Sequence, residues 1–388
     1  MGTSLRTVIA VFIVAKYRLL SDRVVIKQVK ENRYIQYFCN VPDEDLPFFM
    51  DHSNLSKLRK RFGIEGMEAI DSVVLDLLRV AKVIEKDGML IDSTVLLNNI
   101  SYPTDIGLMF KALEKIKQFA NSCQIPVWWD EQEVKELWRE YNLNRKQTET
   151  INFFFDFILI LSDALRKFEE IVQTLEDSDK NKEKALQLLE LLISFQDQNE
   201  QKLEGEQHIP NRIVSLDEPD ARPIKKGKKH PNCEFGSTLQ LSFNRQGFMI
   251  TVENFIGKPN DTTLWQGTTE LFEKKMKGSP EYAIGDQGYR SRANQKIPKG
   301  ASHIFLGKSL DVDEEERNYC RKARSATEGF IAVAKNLRGF GKSLYRGIDG
   351  DRIWSLLCKV AYNLKKFLQL YNDEKISEES LMKLGLLG

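Results

Sequence analysis

Hydrophobic residues recur at helical spacing through the first 83 positions of the chain. The run at residues 7–15 is almost continuously apolar but well short of the roughly 20 residues that cross a bilayer, so it predicts the buried start of a helix. Residues 65–83 also carry apolar side chains at the spacing of one helix face. We expect these to form a core-facing stripe: Met67, Ile70, Val73, Val74, Leu77, Leu78 and Val83.

Alternating or short apolar runs predict strands further along the chain. They occupy residues 87–94, 233–242, 248–256, 282–285 and 303–306. A turn sequence at 244–247 joins the second run to the third, which predicts a β-hairpin. Helical spacing predicts further helices at 107–122, 130–141, 147–205, 261–277, 311–335 and 352–371. The long stretch at 147–205 favours two helices packed as an antiparallel pair.

This order of elements predicts an α/β chain of the mixed α+β kind, in which a long helical insertion interrupts a central mixed sheet. Such an insertion is tolerated because the entropy of loop closure grows slowly with length. The predicted regions are a helical N-terminal region at 1–83, a core at 84–106 and 208–371, the insertion at 107–207, and a C-terminal tail at 372–388. The basic cluster at 57–61 in the first region could contact a DNA backbone, or it could be a solvated face.

The distribution of charge says more than the net charge of +1. Residues 317–366 hold twelve Lys and Arg against three acids, whereas residues 169–206 are acidic. A protein with such local basic faces can bind phosphates without an extreme pI. Five scattered cysteines with no C-x-x-C pair favour reduced thiols in a cytoplasmic protein, and we expect no membrane association.

Three acidic residues stand out against this background. Asp92 closes the apolar run 88–91, Asp286 closes the run 282–285, and Glu328 lies inside the basic helix. A carboxylate at the end of a buried strand is costly unless something pairs with it. Hard divalent cations take oxygen ligands, and two such ions about 3.5–4 Å apart serve in-line attack on a phosphodiester. We therefore expect Asp92, Asp286 and Glu328 to be catalytic metal ligands.

The helix around Glu328 carries the candidate phosphate contacts. At about 100° per residue, Arg321, Arg324 and Lys335 share the face of Glu328. The opposite face predicts a core stripe of Ala323, Ala326, Phe330, Val333 and Leu337. A salt-bridge network is the alternative interpretation of the charged face. The candidate DNA-binding residues are Arg321, Arg324, Lys335 and Arg338, together with Lys225, Lys226 and Lys228 in a loop that is equally typical of a solvated surface.

Several motifs, taken in order, resemble a bacterial insertion-sequence DDE transposase with an RNase H-like catalytic domain. They are Asn32-Arg-Tyr-Ile-Gln-Tyr-Phe-Cys39, Ile91-Asp-Ser-Thr-Val95, Tyr102-Pro-Thr-Asp105, Pro219-Asp-Ala-Arg-Pro-Ile-Lys-Lys-Gly227, Glu234-Phe-Gly236, Gly285-Asp-Gln-Gly-Tyr289, Arg324-Ser-Ala-Thr-Glu328, Gly347-Ile-Asp-Gly-Asp-Arg352 and Ala361-Tyr-Asn-Leu-Lys365. The resemblance covers most of the chain. One departure is that Arg321 stands where the family signature has Tyr.

The resemblance implies that Asp92, Asp286 and Glu328 form the catalytic triad and hold two Mg²⁺ ions, for which Mn²⁺ can substitute. It implies hydrolysis that frees a 3′-hydroxyl, followed by attack of that hydroxyl on target DNA. The implied partners are double-stranded DNA, as transposon ends and as target, and a second copy of the chain in a homodimer on DNA.

Three alternatives stay open on the sequence alone. The first is an RNase H-like nuclease without a strand-transfer step. The second is an inactive, DNA-binding transposase remnant, which the intact acidic triad disfavours. The third is a scaffold built on the long helices.

Overall fold

The computed structural model describes residues 3–144, 146, 150–177, 179–206, 208–225, 233–307 and 314–387. The chain divides into two compact units by its internal contacts. Unit 1 comprises residues 1–99 and 236–388, and unit 2 comprises residues 100–235. The architecture is mostly helical with one mixed sheet, which confirms the predicted mixed α/β class. The candidate DNA-binding residues Lys226 and Lys228 lie outside the described residues.

Unit 1 begins with helices. These are α1 (Leu5–Tyr17), α2 (Asp22–Glu31), α3 (Arg33–Phe38) and α4 (His52–Val80), with a 3-10 turn at Asp43–Phe48. The apolar run near the N-terminus lies within α1, where Val11 and Phe12 are buried, as predicted. Ser4 caps this helix by accepting a hydrogen bond from the backbone N–H of Thr7. Within α4, Gly63 has a φ of +62° and marks a kink between two helical segments.

The core-facing stripe predicted on α4 is partly wrong. Met67, Ile70 and Leu78 are buried, but Val73 and Leu77 are 60% and 54% exposed. The buried face includes Asp71 instead, whose carboxylate accepts hydrogen bonds from the buried Lys359 and the partly buried Lys275. A charged side chain can occupy a buried helix position when it is paired in this way.

Strand β1 (Gly88–Leu97) completes the first part of unit 1. Unit 2 then contains α5 (Asp105–Ser122), α6 (Glu131–Asn144), α7 (Thr150–Thr174), α8 (Lys182–Leu203) and the short strand β2 (Arg222–Lys225). Helices α7 and α8 pack together as the predicted pair, and Gln196 donates a hydrogen bond to Ser162 across them. The helices of unit 2 share one apolar core that includes Phe157, Phe168 and Phe195.

The remainder of unit 1 contains β3 (Cys233–Phe243), β4 (Met249–Ile256), α9 (Asp261–Met276), β5 (Tyr282–Gly285), β6 (His303–Leu306), α10 (Glu314–Leu337), α11 (Gly347–Asn372) and α12 (Glu378–Lys383). The predicted hairpin is confirmed, since β3 and β4 pair antiparallel. Among the described residues of unit 1, the strands follow the order β4-β3-β1-β5-β6. Strand β1 is antiparallel to β3 and parallel to β5, which is parallel to β6.

Two helices fix the sheet against the rest of unit 1. Helix α10 packs against β1, and α11 packs against β4 and also against α1 and α4. In the part of the chain that the structure describes, every helix is too short or too polar to cross a bilayer.

Candidate active site

Adjacent parallel strands bring Asp92 and Asp286 together. Asp92 lies in the middle of β1, and Asp286 directly follows β5. The two strands pair in parallel up to Leu90 and Ile284, and each acid lies two residues beyond that pair. Because neighbouring strands run about 4.8 Å apart, the two carboxylates emerge side by side. The structure thus places these two predicted residues in one site.

A third carboxylate, Asp261, completes what we call the acidic centre: Asp92, Asp261 and Asp286. Asp261 opens α9, and the Ser93 hydroxyl donates a hydrogen bond of 3.3 Å to its Oδ1. The Oδ1 of Asp286 accepts a 2.8 Å hydrogen bond from the backbone N–H of Gly288. A Cβ placed on Gly288 would stand 2.9 Å from Asp261 Oδ2 and 3.0 Å from Asp286 Oδ1. The two carboxylates therefore face the same small space, which a side chain at position 288 would fill.

The acids of this centre repel one another. Burial raises the pKa of Asp92 to about 6; the N–H of Ser93 and the charge of Arg324 oppose the rise, and the charges of Asp286 and Asp261 add to it. Burial and the charge of Asp286 likewise raise the pKa of Asp261. The centre thus concentrates negative charge that a bound cation would stabilise.

Helix α10 places basic side chains beside β1. Arg324 is close enough to act electrostatically on Asp92, and Lys335 donates a 3.4 Å hydrogen bond to the Thr94 hydroxyl. Asp92 and Thr94 are two residues apart on β1 and so point to the same face of the sheet. Glu328 is exposed and lies one turn after Arg324 and two turns before Lys335 on the same side of α10.

The core stripe predicted on α10 is wrong for three of its five residues. Ala326 is exposed, and Val333 and Leu337 are 38% and 53% exposed. The buried residues are Cys320, Thr327, Ile331 and Ala334. The side of α10 that carries Lys335 approaches β1, where Lys335 bonds the Thr94 hydroxyl.

The donor set fits a hard divalent cation, because every ligand candidate in the acidic centre is a carboxylate oxygen. Within the described residues, however, no group of three His, Cys, Asp or Glu side chains is close enough together to hold one metal ion. The structure brings Asp92 and Asp286 together with Asp261, whereas Glu328 is placed on the helix beside them.

The remaining candidate residues occupy varied positions. Arg321 is exposed on α10, and Arg338 donates a 2.8 Å hydrogen bond to the carbonyl of Leu337. Lys225 is exposed at the end of β2 in unit 2. Sequence reasoning missed Asp261, for which the only signal was an acidic residue at the start of a helix that follows the hairpin.

Comparison with known proteins bears on the N-terminal part of the chain. Residues 2–61 match the family model described as Transposase domain (DUF772). A protein of Rhizobium meliloti, "Uncharacterized protein ORF8 in nfe locus", is 29% identical over 111 residues, which are 28% of this chain and 54% of the relative. The chain thus spans about half the length of that curated relative. No solved structure matches. The family match supports a transposase function in general.

Proposed function

We propose that this chain is an insertion-sequence transposase of the DDE type, which cleaves DNA strands and joins the freed 3′-hydroxyl to target DNA. Its active site would comprise Asp92, Asp286 and Glu328 with two Mg²⁺ ions in an RNase H-like core. The observation that carries the proposal is the convergence of Asp92 and Asp286 on parallel strands beside the basic face of α10. The match of residues 2–61 to a transposase domain supports it.

In this proposal some residues of the site orient the carboxylates, and others hold the phosphate. The N–H of Ser93 and the N–H of Gly288 fix the carboxylates of Asp92 and Asp286 in orientation. Bound divalent ions would supply the positive charge that polarises the scissile phosphate. Arg324 and Lys335 flank Glu328 along α10, and in this proposal they would hold phosphate oxygens beside the cut. We place Asp261 at the edge of the same site, where Ser93 orients it.

The test uses a supercoiled donor plasmid that carries the chain's own gene with its flanking DNA. We expect strand cleavage and strand transfer with Mg²⁺, and Asp286→Asn and Glu328→Gln should each lower both by at least about 100-fold, because each removes a charged ligand from the reaction site. Glu315→Gln on the first turn of α10 is the matched control for Glu328, since Glu315 is exposed and distant along the helix.

The outcomes separate the alternatives. Cleavage without joining, on a target plasmid supplied in the same reaction, indicates a nuclease that lacks strand transfer. Activity that survives Asp286→Asn unchanged contradicts the proposed site. Loss of activity on Asp286→Asn but not on Glu328→Gln removes Glu328 from the triad.

A further inference from the structure

A cavity of about 540 Å³ lies in unit 1 between the end of α1, the start of α2, Arg59 of α4 and the segment at residues 339–345. Basic side chains line it, namely Lys16, Arg23, Arg59 and Lys342, together with the single acid Asp22 and the rings of Tyr345 and Trp354. A second cavity of about 600 Å³ shares Arg59 and Tyr345 and adds two basic residues, Lys60 and Arg346, and one acid, Asp349. We call the two together the basic groove.

Lys16 is the buried cation of the groove. Its residue is 5% exposed, and its Nζ lies 2.9 Å from the centroid of the Trp354 ring and 4.3 Å from that of Tyr345. In the part of the chain that the structure describes, the Nζ of Lys16 makes no hydrogen bond and no ion pair. Burial lowers the pKa of Lys16 to about 7; Cys358 and Asp22 oppose the decrease, and the charge of Arg59 adds to it. A buried ammonium that faces a cavity and has no acceptor is suited to an anionic ligand.

Asp22, the acid that lines the first cavity, already forms an ion pair. Asp22 accepts hydrogen bonds of 2.8 Å and 2.5 Å from both terminal nitrogens of Arg59, whose guanidinium lies over the Tyr345 ring. Asp22 therefore pairs directly with Arg59, and it acts on Lys16 only through its charge, without an ion pair. Neither Arg23 nor Lys342 forms an ion pair with any described residue. The basic groove therefore has more basic than acidic side chains, and the rings of Tyr345 and Trp354 form part of its lining.

The groove lies at the far end of the strand that carries Asp92. Ser343 donates a 2.8 Å backbone hydrogen bond to the carbonyl of Leu97, and Lys342 forms a bridge with Leu97. Leu97 follows Asp92 by five residues on β1, which at 3.3 Å per residue is about 17 Å. A DNA strand rises about 3.4 Å per nucleotide, so that distance corresponds to roughly five nucleotides.

We propose that the basic groove binds backbone phosphate of DNA about five nucleotides from the strand cut at the acidic centre, with Lys16 and Lys342 as the principal phosphate contacts. The inference rests on the proposed function in taking DNA as the polyanion and the acidic centre as the place of cutting. Lys16 supplies a desolvated charge, and Lys342 supplies an exposed charge at the groove entrance.

The first experiment measures DNA binding by fluorescence anisotropy in EDTA over a range of KCl, with the full chain and a labelled duplex that contains the flanking DNA of its gene. Lys342→Gln and Lys16→Met should each weaken binding about 3- to 10-fold and reduce the salt slope by about one counterion, because each removes a phosphate contact. Lys27→Gln is the matched control. It lies on α2 outside the groove and pairs with Glu31.

Lys16 is buried, so Lys16→Met needs a thermal melt by circular dichroism to show that the variant folds. Lys342 is exposed, so we expect Lys342→Gln to fold. This variant therefore tests the inference even if Lys16→Met misfolds. Groove variants that bind DNA with the affinity and salt slope of Lys27→Gln overturn the inference.

A second experiment identifies the source of the phosphate. Acylation of lysines, read by mass spectrometry, should show Lys342 protected by the duplex and Lys27 unprotected, with little protection by millimolar inorganic phosphate. Equal protection by inorganic phosphate alone, without protection by DNA, assigns a free anion and overturns the DNA contact. Absence of protection by either overturns the site.

The two proposals fail separately. Binding in EDTA does not depend on cleavage. If the wild-type chain never cuts DNA but Lys342→Gln weakens DNA binding, the transposase proposal is contradicted and the DNA-binding role of the basic groove is supported. Cleavage that depends on Asp286, with unchanged binding in the groove variants, has the opposite consequence.

Discussion

The surroundings of Asp92 destabilise its ionised carboxylate, and a bound cation or a proton would relieve this destabilisation. Its carboxylate is half-buried between two other acids, and burial with those charges raises its pKa to about 6. The unfolded chain has an Asp pKa of about 3.9. Between these values the folded state holds a proton that the unfolded state releases, so stability falls as the pH rises through that window.

We expect the free energy of unfolding in EDTA to decrease by about 1–3 kcal/mol between about pH 4 and about pH 7 through Asp92 alone. Asp92→Asn should lack this part of the pH dependence and exceed the wild type in stability near pH 7.5. Urea unfolding at several pH values measures both. Asp197→Asn, which changes an exposed acid in unit 2, should follow the wild-type profile. Parallel profiles for Asp92→Asn and the wild type would contradict the assignment.

The pairing of Asp92 with Asp286 was predictable, and the presence of Asp261 was not. Both predicted acids close short apolar runs, and strands of that kind meet in one sheet. Asp261 is known from sequence only as an acid at a helix start, a position that acidic residues favour for local reasons. Its approach to Asp286 depends on how α9 packs, which local sequence does not encode.

Two helices show why hydrophobic spacing locates an element better than its buried face. Both ends of α10 and the end of α4 lie within a few residues of the predicted segments, whereas α4 begins earlier than predicted, at His52. In both helices the buried face differs from the predicted one. In α4 the buried Asp71 binds Lys359 and Lys275, and in α10 Lys335 approaches Thr94. The spacing argument assumes that charges remain in water, and it fails where a charge is paired inside.

The Asp71 network should therefore dominate the stability of the contact between α4 and α11. Asp71 accepts a 2.7 Å hydrogen bond from Lys359, and Lys359 also donates to the carbonyl of Ile250. Asp71→Asn leaves the fully buried ammonium of Lys359 without its counterion and should cost about 3–5 kcal/mol in urea unfolding.

Asp76→Asn on the same helix is the matched control, because Asp76 is half exposed in its ion pair with Arg79 and should cost less than about 1 kcal/mol. The pair Asp71→Leu with Lys359→Met should recover part of the loss, since it removes both buried charges. A cost for Asp71→Asn equal to that of the control would contradict this role.

At the scale of the molecule, unit 1 contains both the segment that matches a transposase domain and the acidic centre. Helix α11 joins them, because it packs against α1 and α4 on one side and β4 on the other. Sequence patterns predicted the helical start and the sheet as separate regions, since no local signal reports that residues near the two ends of a chain share a core.

Unit 2 offers the complementary test, because its apolar core is built from its own helices. We expect residues 100–235, made as a separate polypeptide, to be helical and to unfold cooperatively on heating, since a domain with its own core can fold alone.

Phe168→Ala removes a fully buried ring of that core and should lower the free energy of unfolding by about 3–5 kcal/mol. Leu159→Ala on the same helix changes a side chain that is 66% exposed and should leave the melting temperature nearly unchanged. A broad, non-cooperative melt, or equal effects of the two variants, would show that the core of unit 2 depends on the remainder of the chain.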